Sequence, residues 1–171
     1  MKINLYALRA IYLHEMDRFR RTLTQSVLSP VLTTSLYFIV FGSVIGGYVE
    51  KIDGISYGSY IVPGLLMLTL LTQSISNTSF GIFFPKFNGT IYEILAAPIS
   101  TLEVVLAFVG AGATKTLIVS IIIFITSLFF VDVQVKYPLL MIFLLILVAF
   151  TFALFGFLIG LMSSDFEQMS I

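Results

Sequence analysis

Few side chains in this sequence could do chemistry, and where they stand says more than how many there are. There is one histidine and no cysteine. His14 sits beside Glu15 among alternating charged and apolar residues, the setting of a surface histidine rather than a ligand. The lack of thiols removes disulfides, thiolate nucleophiles and soft metal sites. Glu50 and Asp53 share a short polar connection with Lys51, but two carboxylates without a pocket are a weak acid–base signal. No His-Glu-x-x-His pair and no glycine-rich phosphate loop ending in Lys-Ser or Lys-Thr occurs. The sequence therefore offers no catalytic, cofactor-binding or metal residues, and the function classes left are transport and membrane assembly or scaffolding.

Three polar features stand out against this background. Lys115 lies near the middle of the apolar run 102–130, with Glu103 near the start of the same run. A lysine there is costly to expose to hydrocarbon, so it faces a bundle interior or an aqueous path. Glu103 is too far along one helix to pair with it, so a partner comes from another helix, another subunit or solvent. The run 72–79 carries Gln73 and Asn77 among serines and threonines, and both bundle packing and substrate lining account for it. In 84–100, Thr90 and Glu93 have the spacing of a capping box, Ile91, Ile94 and Leu95 share a face, and Pro98 stops the helix. This short helix, within 88–98, is more than a chain reversal requires, and it reads as an element presented to a partner or anchored on the membrane surface.

The elements that position these residues are transmembrane helices. Apolar residues make up 58% of the chain and charged residues 11%, against about 25% charged in a soluble domain. Such a chain cannot cover a water-facing surface, and lipid is its natural solvent. The formal net charge is zero, which gives no argument for a nucleic-acid partner. The expected spans are 27–48, 57–83, 102–130 and 138–162, in an all-α polytopic bundle. The second exceeds the roughly 30 Å of hydrocarbon, so it tilts, kinks at Pro63 or protrudes. Gly42 with Gly46, and Gly156 with Gly160, have the small-xxx-small spacing of close helix packing. Residues 4–22 read as an amphipathic helix lying in the membrane interface, its apolar side (Leu5, Leu8, Tyr12, Met16, Phe19) toward acyl chains. Lys2, Arg9, Arg18, Arg20, Arg21 and Lys86 fall on one side of the membrane, Lys51 and Lys136 on the other. The excess of basic residues puts the N-terminus, 84–100 and the C-terminal tail in the cytoplasm. The basic start shows no leader-like apolar core with a cleavage site.

The order of amphipathic helix, two spans, short cytoplasmic helix and two further spans resembles the membrane subunit of type-2 ABC transporters, of the bacterial polysaccharide and drug exporter kind. Three stretches carry the likeness: the basic start through Arg21, the first span from Pro30 to Gly47, and Gly89-Thr90-Ile91-Tyr92-Glu93-Ile94-Leu95-Ala96-Ala97-Pro98-Ile99-Ser100. The last is similar to the family's coupling element. The resemblance implies a permease in the bacterial inner membrane working as a pair of subunits, with a separate cytoplasmic ATPase. It implies that 4–22 is the connecting helix, that Thr90, Ile91, Glu93, Ile94 and Leu95 face the ATPase, and that polar faces of the first two spans line the substrate route. Family permeases have six spans, so the chain is expected to represent the first two thirds of one.

Overall fold

The computed structural model describes residues 4–45, 51–52, 54–133 and 135–169. Helix α1 (Leu5–Arg21) starts at Asn4, whose side-chain oxygen accepts from the Ala7 amide. After Thr22, α2 (Leu23–Tyr37) passes into a π-helical stretch, Phe38–Ile45. A small antiparallel pair follows, β1 (Lys51–Ile52) with β2 (Ile55–Ser56), in the register Lys51 to Ser56 and Ile52 to Ile55. It turns through Gly54, whose φ of 81° is one a side chain would strain. Then come α3 (Tyr57–Phe87), α4 (Ile91–Ala96), α5 (Thr101–Leu128), α6 (Pro138–Met162) and the single turn α7 (Phe166–Met169).

Among the described residues, four stretches are long and apolar enough to cross a membrane: Leu23–Phe41, Tyr57–Phe87, Thr101–Leu128 and Pro138–Met162. The first begins before the expected 27, and the end of the expected span, 46–48, lies outside the described residues. The second runs past 83 to Phe87, continuous through both Pro63 and Pro85. The third starts at Thr101 and ends at Leu128, where 102–130 was expected, and the fourth covers 138–162.

Helix α5 is the most buried of the spans and meets α1, α2, α3 and α6, while α3 packs along both α6 and α5. Along α6, α3 runs parallel, Gly156 against Ile75 and Gly160 against Ser79. A Cβ on Gly156 would stand 2.9 Å from Ile75 Cα, and one on Gly160 would stand 3.0 Å from Ser79 Cα. The missing side chains let the backbones meet, and the Ser79 hydroxyl donates to the Gly156 carbonyl at 2.9 Å. Along α5 it runs antiparallel, with Gly112 pressed on Thr78 and Gly81 on Phe108. Leu70, Ile82, Phe108, Ala149, Ala153 and Phe157 fill the space between the three helices.

This register fixes relative depth. Gly160 is level with Ser79, so α6 ends beside Gly81, and the remainder of α3 projects beyond it. The projection is used: Lys86 Nζ donates to the carbonyls of Leu161 (2.7 Å) and Ser163 (2.8 Å), closing the C-terminus of α6. Phe166 of α7 packs edge-on against Phe83 and Phe87.

Helix α1 turns part of its apolar side, Tyr12 and Phe19, onto α5. Successive turns of α1 meet successive turns of α5. The Asn4 amide donates to Glu103, the Tyr12 hydroxyl to Thr114 Oγ1 (3.0 Å), and Phe19 packs in a cluster with Val119 and Ile123. Leu5 and Leu13 remain exposed. The reason is chemical: the face toward α5 carries Glu15 and the Tyr12 hydroxyl, and both find partners there that lipid lacks.

Candidate functional site

The strongest polar constellation is one that joins α1, α3 and α5. Lys115 Nζ lies 2.7 Å from Glu15 Oε2, with the lysine side chain 4% and the glutamate 2% exposed. Arg18 Nη2 reaches the same oxygen at 2.8 Å and is 26% exposed. Its guanidinium also lies over the Phe80 ring, 5.6 Å from the centroid. Gly81 closes the third side: a Cβ there would stand 3.3 Å from Glu15 Oε2. The other carboxylate oxygen, Oε1, is buried with no hydrogen-bond partner among the described residues. The lysine near the middle of α5 thus has its counter-ion on another helix, and its ammonium reaches the end of the bundle where α6 stops.

Glu15 drew no attention in the sequence beyond its neighbour His14, which is exposed. The signal was its spacing: Ile11, Tyr12, Glu15 and Phe19 recur every three or four residues, so the carboxylate lies on the packed face of α1.

At the same end, α4 presents a short two-sided helix. Ile91 and Ile94 turn inward onto the main core cluster beside Ile11 of α1. Tyr92 is 73% and Leu95 67% exposed, with Thr90 and Glu93 beside them. The five candidate coupling residues are therefore divided: Thr90, Glu93 and Leu95 point outward with Tyr92, and Ile91 and Ile94 anchor the helix. Thr90 makes no capping hydrogen bond, because its own backbone is helical rather than extended. The capping box forms instead at the start of α5, where the Ser100 side chain takes the Glu103 amide and Glu103 Oε2 takes the Ser100 amide at 2.7 Å. Both segments match the Ser/Thr-x-x-Glu spacing; only Ser100 has the extended backbone an N-cap requires. Glu103 Oε1 also takes the Asn4 amide, so α1 is tied to the α4–α5 junction.

The third polar grouping is a stripe shared by α2 and α3. Asn77 Nδ2 donates to Gln73 Oε1 at 3.3 Å, one turn apart on α3. Ser29, Thr33, Tyr37, Thr69 and Thr72 line a groove with Gln73, of about 290 Å³. Both Gln73 and Asn77 are half-buried. Lys115 pairs with Glu15, whereas Gln73 and Asn77 bond to each other, so no hydrogen bond among the described residues joins the three candidate pathway residues. Of the candidate packing glycines, Gly156 and Gly160 lie in the α3–α6 contact. Gly42 falls in the π-helical stretch, and Gly46 lies outside the described residues. Among the described residues no group of three or more His, Cys, Asp or Glu could hold a metal ion.

Comparison with known proteins places the chain in a family. The profile described as ABC-2 type transporter matches residues 6–171. The chain belongs to that family. Members are non-catalytic membrane subunits, ATP being hydrolysed in a separate ATPase. The chain is 38% identical over 165 residues to the inner membrane transport permease YadH of Escherichia coli K12, with the same figures for YadH of E. coli O157:H7 and of Shigella flexneri. The match covers 96% of this chain and 64% of each relative, so the chain spans under two thirds of the length of the relatives it matches. No solved structure matches it.

Proposed function

We propose that the chain forms the membrane-spanning permease part of an ATP-driven exporter, working as a pair in a bacterial inner membrane and coupled to a separate cytoplasmic ABC ATPase. The observation that carries this reading, beside family membership, is α4. It is a six-residue helix held from below by Ile91 and Ile94, with Tyr92, Glu93 and Leu95 turned to solvent. An exposed aromatic and an exposed leucine flanking a carboxylate suit a docking contact. The basic-residue excess on the same side supports a cytoplasmic position for α4 and for the N-terminus.

The α2–α3 stripe supports the route. Along α3, Leu68, Thr72, Ser76 and Phe80 repeat every fourth residue and are all exposed. Polar groups at membrane depth favour protein or water over lipid, and a second copy or an aqueous path between copies supplies either. Alternatively, the chain is a non-transporting assembly or scaffold protein, in which case no ATPase accompanies it.

Purification of the tagged protein from its native membrane tests the reading, with ABC ATPase subunits identified among co-purifying proteins. Wild type carries the ATPase. Glu93→Lys and Leu95→Asp lose it while their membrane levels stay normal. An ATPase retained equally by both variants would remove α4 as the docking element, and its absence from the wild type favours the scaffold.

A further inference from the structure

At the end of the bundle remote from α4, the connection between α5 and α6 folds over the first turns of α3 and borders two adjoining, half-open hollows. One, of about 310 Å³, is walled by Val62, Leu66, Phe124, Met141 and Leu145. The other, of about 1000 Å³, is walled by Ser56, Ser59, Tyr60, Asp132 and Lys136. Pro63, Val133, Val135 and Lys136 line both, so the two hollows meet along one wall. An apolar chamber with a few polar groups at its mouth is the usual form of a small-molecule site.

Depth narrows the class of ligand. The apolar run of α6 begins at Pro138, so Met141 and Leu145 lie about one and two turns inside it. Tyr137, just before that run, stands at the mouth, the level at which aromatic residues mark the membrane boundary. The apolar hollow is thus at acyl-chain depth and the polar one at headgroup depth. A molecule filling both is an amphiphile, and the bilayer itself provides it.

Charge narrows it again. Among the described residues lining the polar hollow, Asp132 and Lys136 are charged, one of each sign. The Lys136 ammonium lies over the Tyr137 ring, 5.6 Å from its centroid, which keeps it at the mouth. The Ser59 hydroxyl donates to the Asp132 carbonyl at 3.0 Å, tying this connection to α3. We propose that this end of the molecule is a binding site for a membrane phospholipid with a phosphate and a primary amine in its headgroup. The phosphate pairs with Lys136 and the amine with Asp132, while one acyl chain enters the apolar hollow. A purely anionic headgroup leaves Asp132 facing like charge. A quaternary amine has no N–H to donate to it.

The test is native mass spectrometry of the full chain, stripped of lipid in detergent and titrated with phosphatidylethanolamine, phosphatidylglycerol or phosphatidylcholine. The wild type retains one lipid, phosphatidylethanolamine ahead of the other two. Asp132→Asn removes that preference and keeps a lipid. Met67→Trp fills the apolar hollow from its wall and weakens binding about tenfold or more, the effect of excluding two methylenes. Melting temperatures of both variants stay at the wild-type value, which separates lost binding from lost folding. Equal, unsaturable retention of all three lipids would mean annular lipid only and overturn the site. So would a Met67→Trp protein that binds like wild type. A preference for phosphatidylglycerol overturns the headgroup assignment.

Discussion

Replacing Glu15 by leucine is expected to harm the protein more than replacing Lys115, although the lysine is the more conspicuous charge in the sequence. The geometry gives the order. Glu15 Oε2 holds two cations, Lys115 at 2.7 Å and Arg18 at 2.8 Å. Without Lys115 the carboxylate keeps Arg18, and the cost is reduced. Without Glu15 the Lys115 ammonium, whose side chain is 4% exposed, loses its salt-bridge partner. An uncompensated buried charge costs about 3–5 kcal/mol, whereas replacing both partners by apolar residues is often neutral or stabilising. Glu15→Leu is therefore the most destabilised, Lys115→Leu is intermediate, and the double variant Glu15→Leu with Lys115→Leu recovers most of the loss. At about 2–4 °C per kcal/mol for a chain of this size, the Glu15→Leu protein melts on the order of 10 °C lower. Lys115→Leu also removes a charge that costs roughly 2.5–3.5 kcal/mol to insert, so its membrane level does not fall for want of insertion. The assay is thermal unfolding of the detergent-purified proteins, with membrane levels measured in parallel. A Glu15→Leu protein no less stable than Lys115→Leu, or a double variant as unstable as Glu15→Leu, would refute the pairing.

Further outcomes follow from the same contacts. Gly156→Leu drives a side chain into the Ile75 backbone and lowers stability by about 1–3 kcal/mol or more, while Gly64→Ala, with nothing within 4 Å of the added Cβ, melts like wild type. Ser100→Ala loses the α5 cap and costs about 1 kcal/mol; Thr90→Ala costs measurably less, since the Thr90 side chain makes no capping bond. Because the chain has no cysteine, Tyr12→Cys with Thr114→Cys introduces a clean pair that a short bifunctional thiol reagent joins across the space the Tyr12 ring occupied, and a pair at Leu5 and Thr114 stays unjoined. Ser76→Cys cross-links two copies in membranes where the exposed α3 stripe joins a pair; a monomeric product from Ser76→Cys and Thr72→Cys alike would reject that face.

The spans were legible because lipid imposes one strong rule, that backbone groups be satisfied within the helix. Twenty apolar residues then suffice to announce a span, as α6 does across Pro138–Met162. The glycine spacing at 156 and 160 was legible too, since a backbone contact needs small residues at one spacing on one helix. Pairings between helices leave no such mark. Nothing within the sequence around Lys115 names Glu15, a hundred positions away, and a pattern of charges along α1 reads equally as a headgroup-facing surface. The same limit applies to α1, whose contact with α5 the sequence did not announce. An amphipathic helix next to a membrane span has two ways to satisfy its apolar face, lipid or a neighbouring helix, and apolar periodicity is identical for both. What distinguishes them is a polar group on the buried face. Glu15 between Tyr12 and Phe19 has no place against acyl chains, so a carboxylate in that register required a cation on another helix. The two anomalous charges of the sequence, one on a helix face expected to meet lipid and one deep in an apolar run, each account for the other. The cost of burying either alone is what holds this face of α1 against α5.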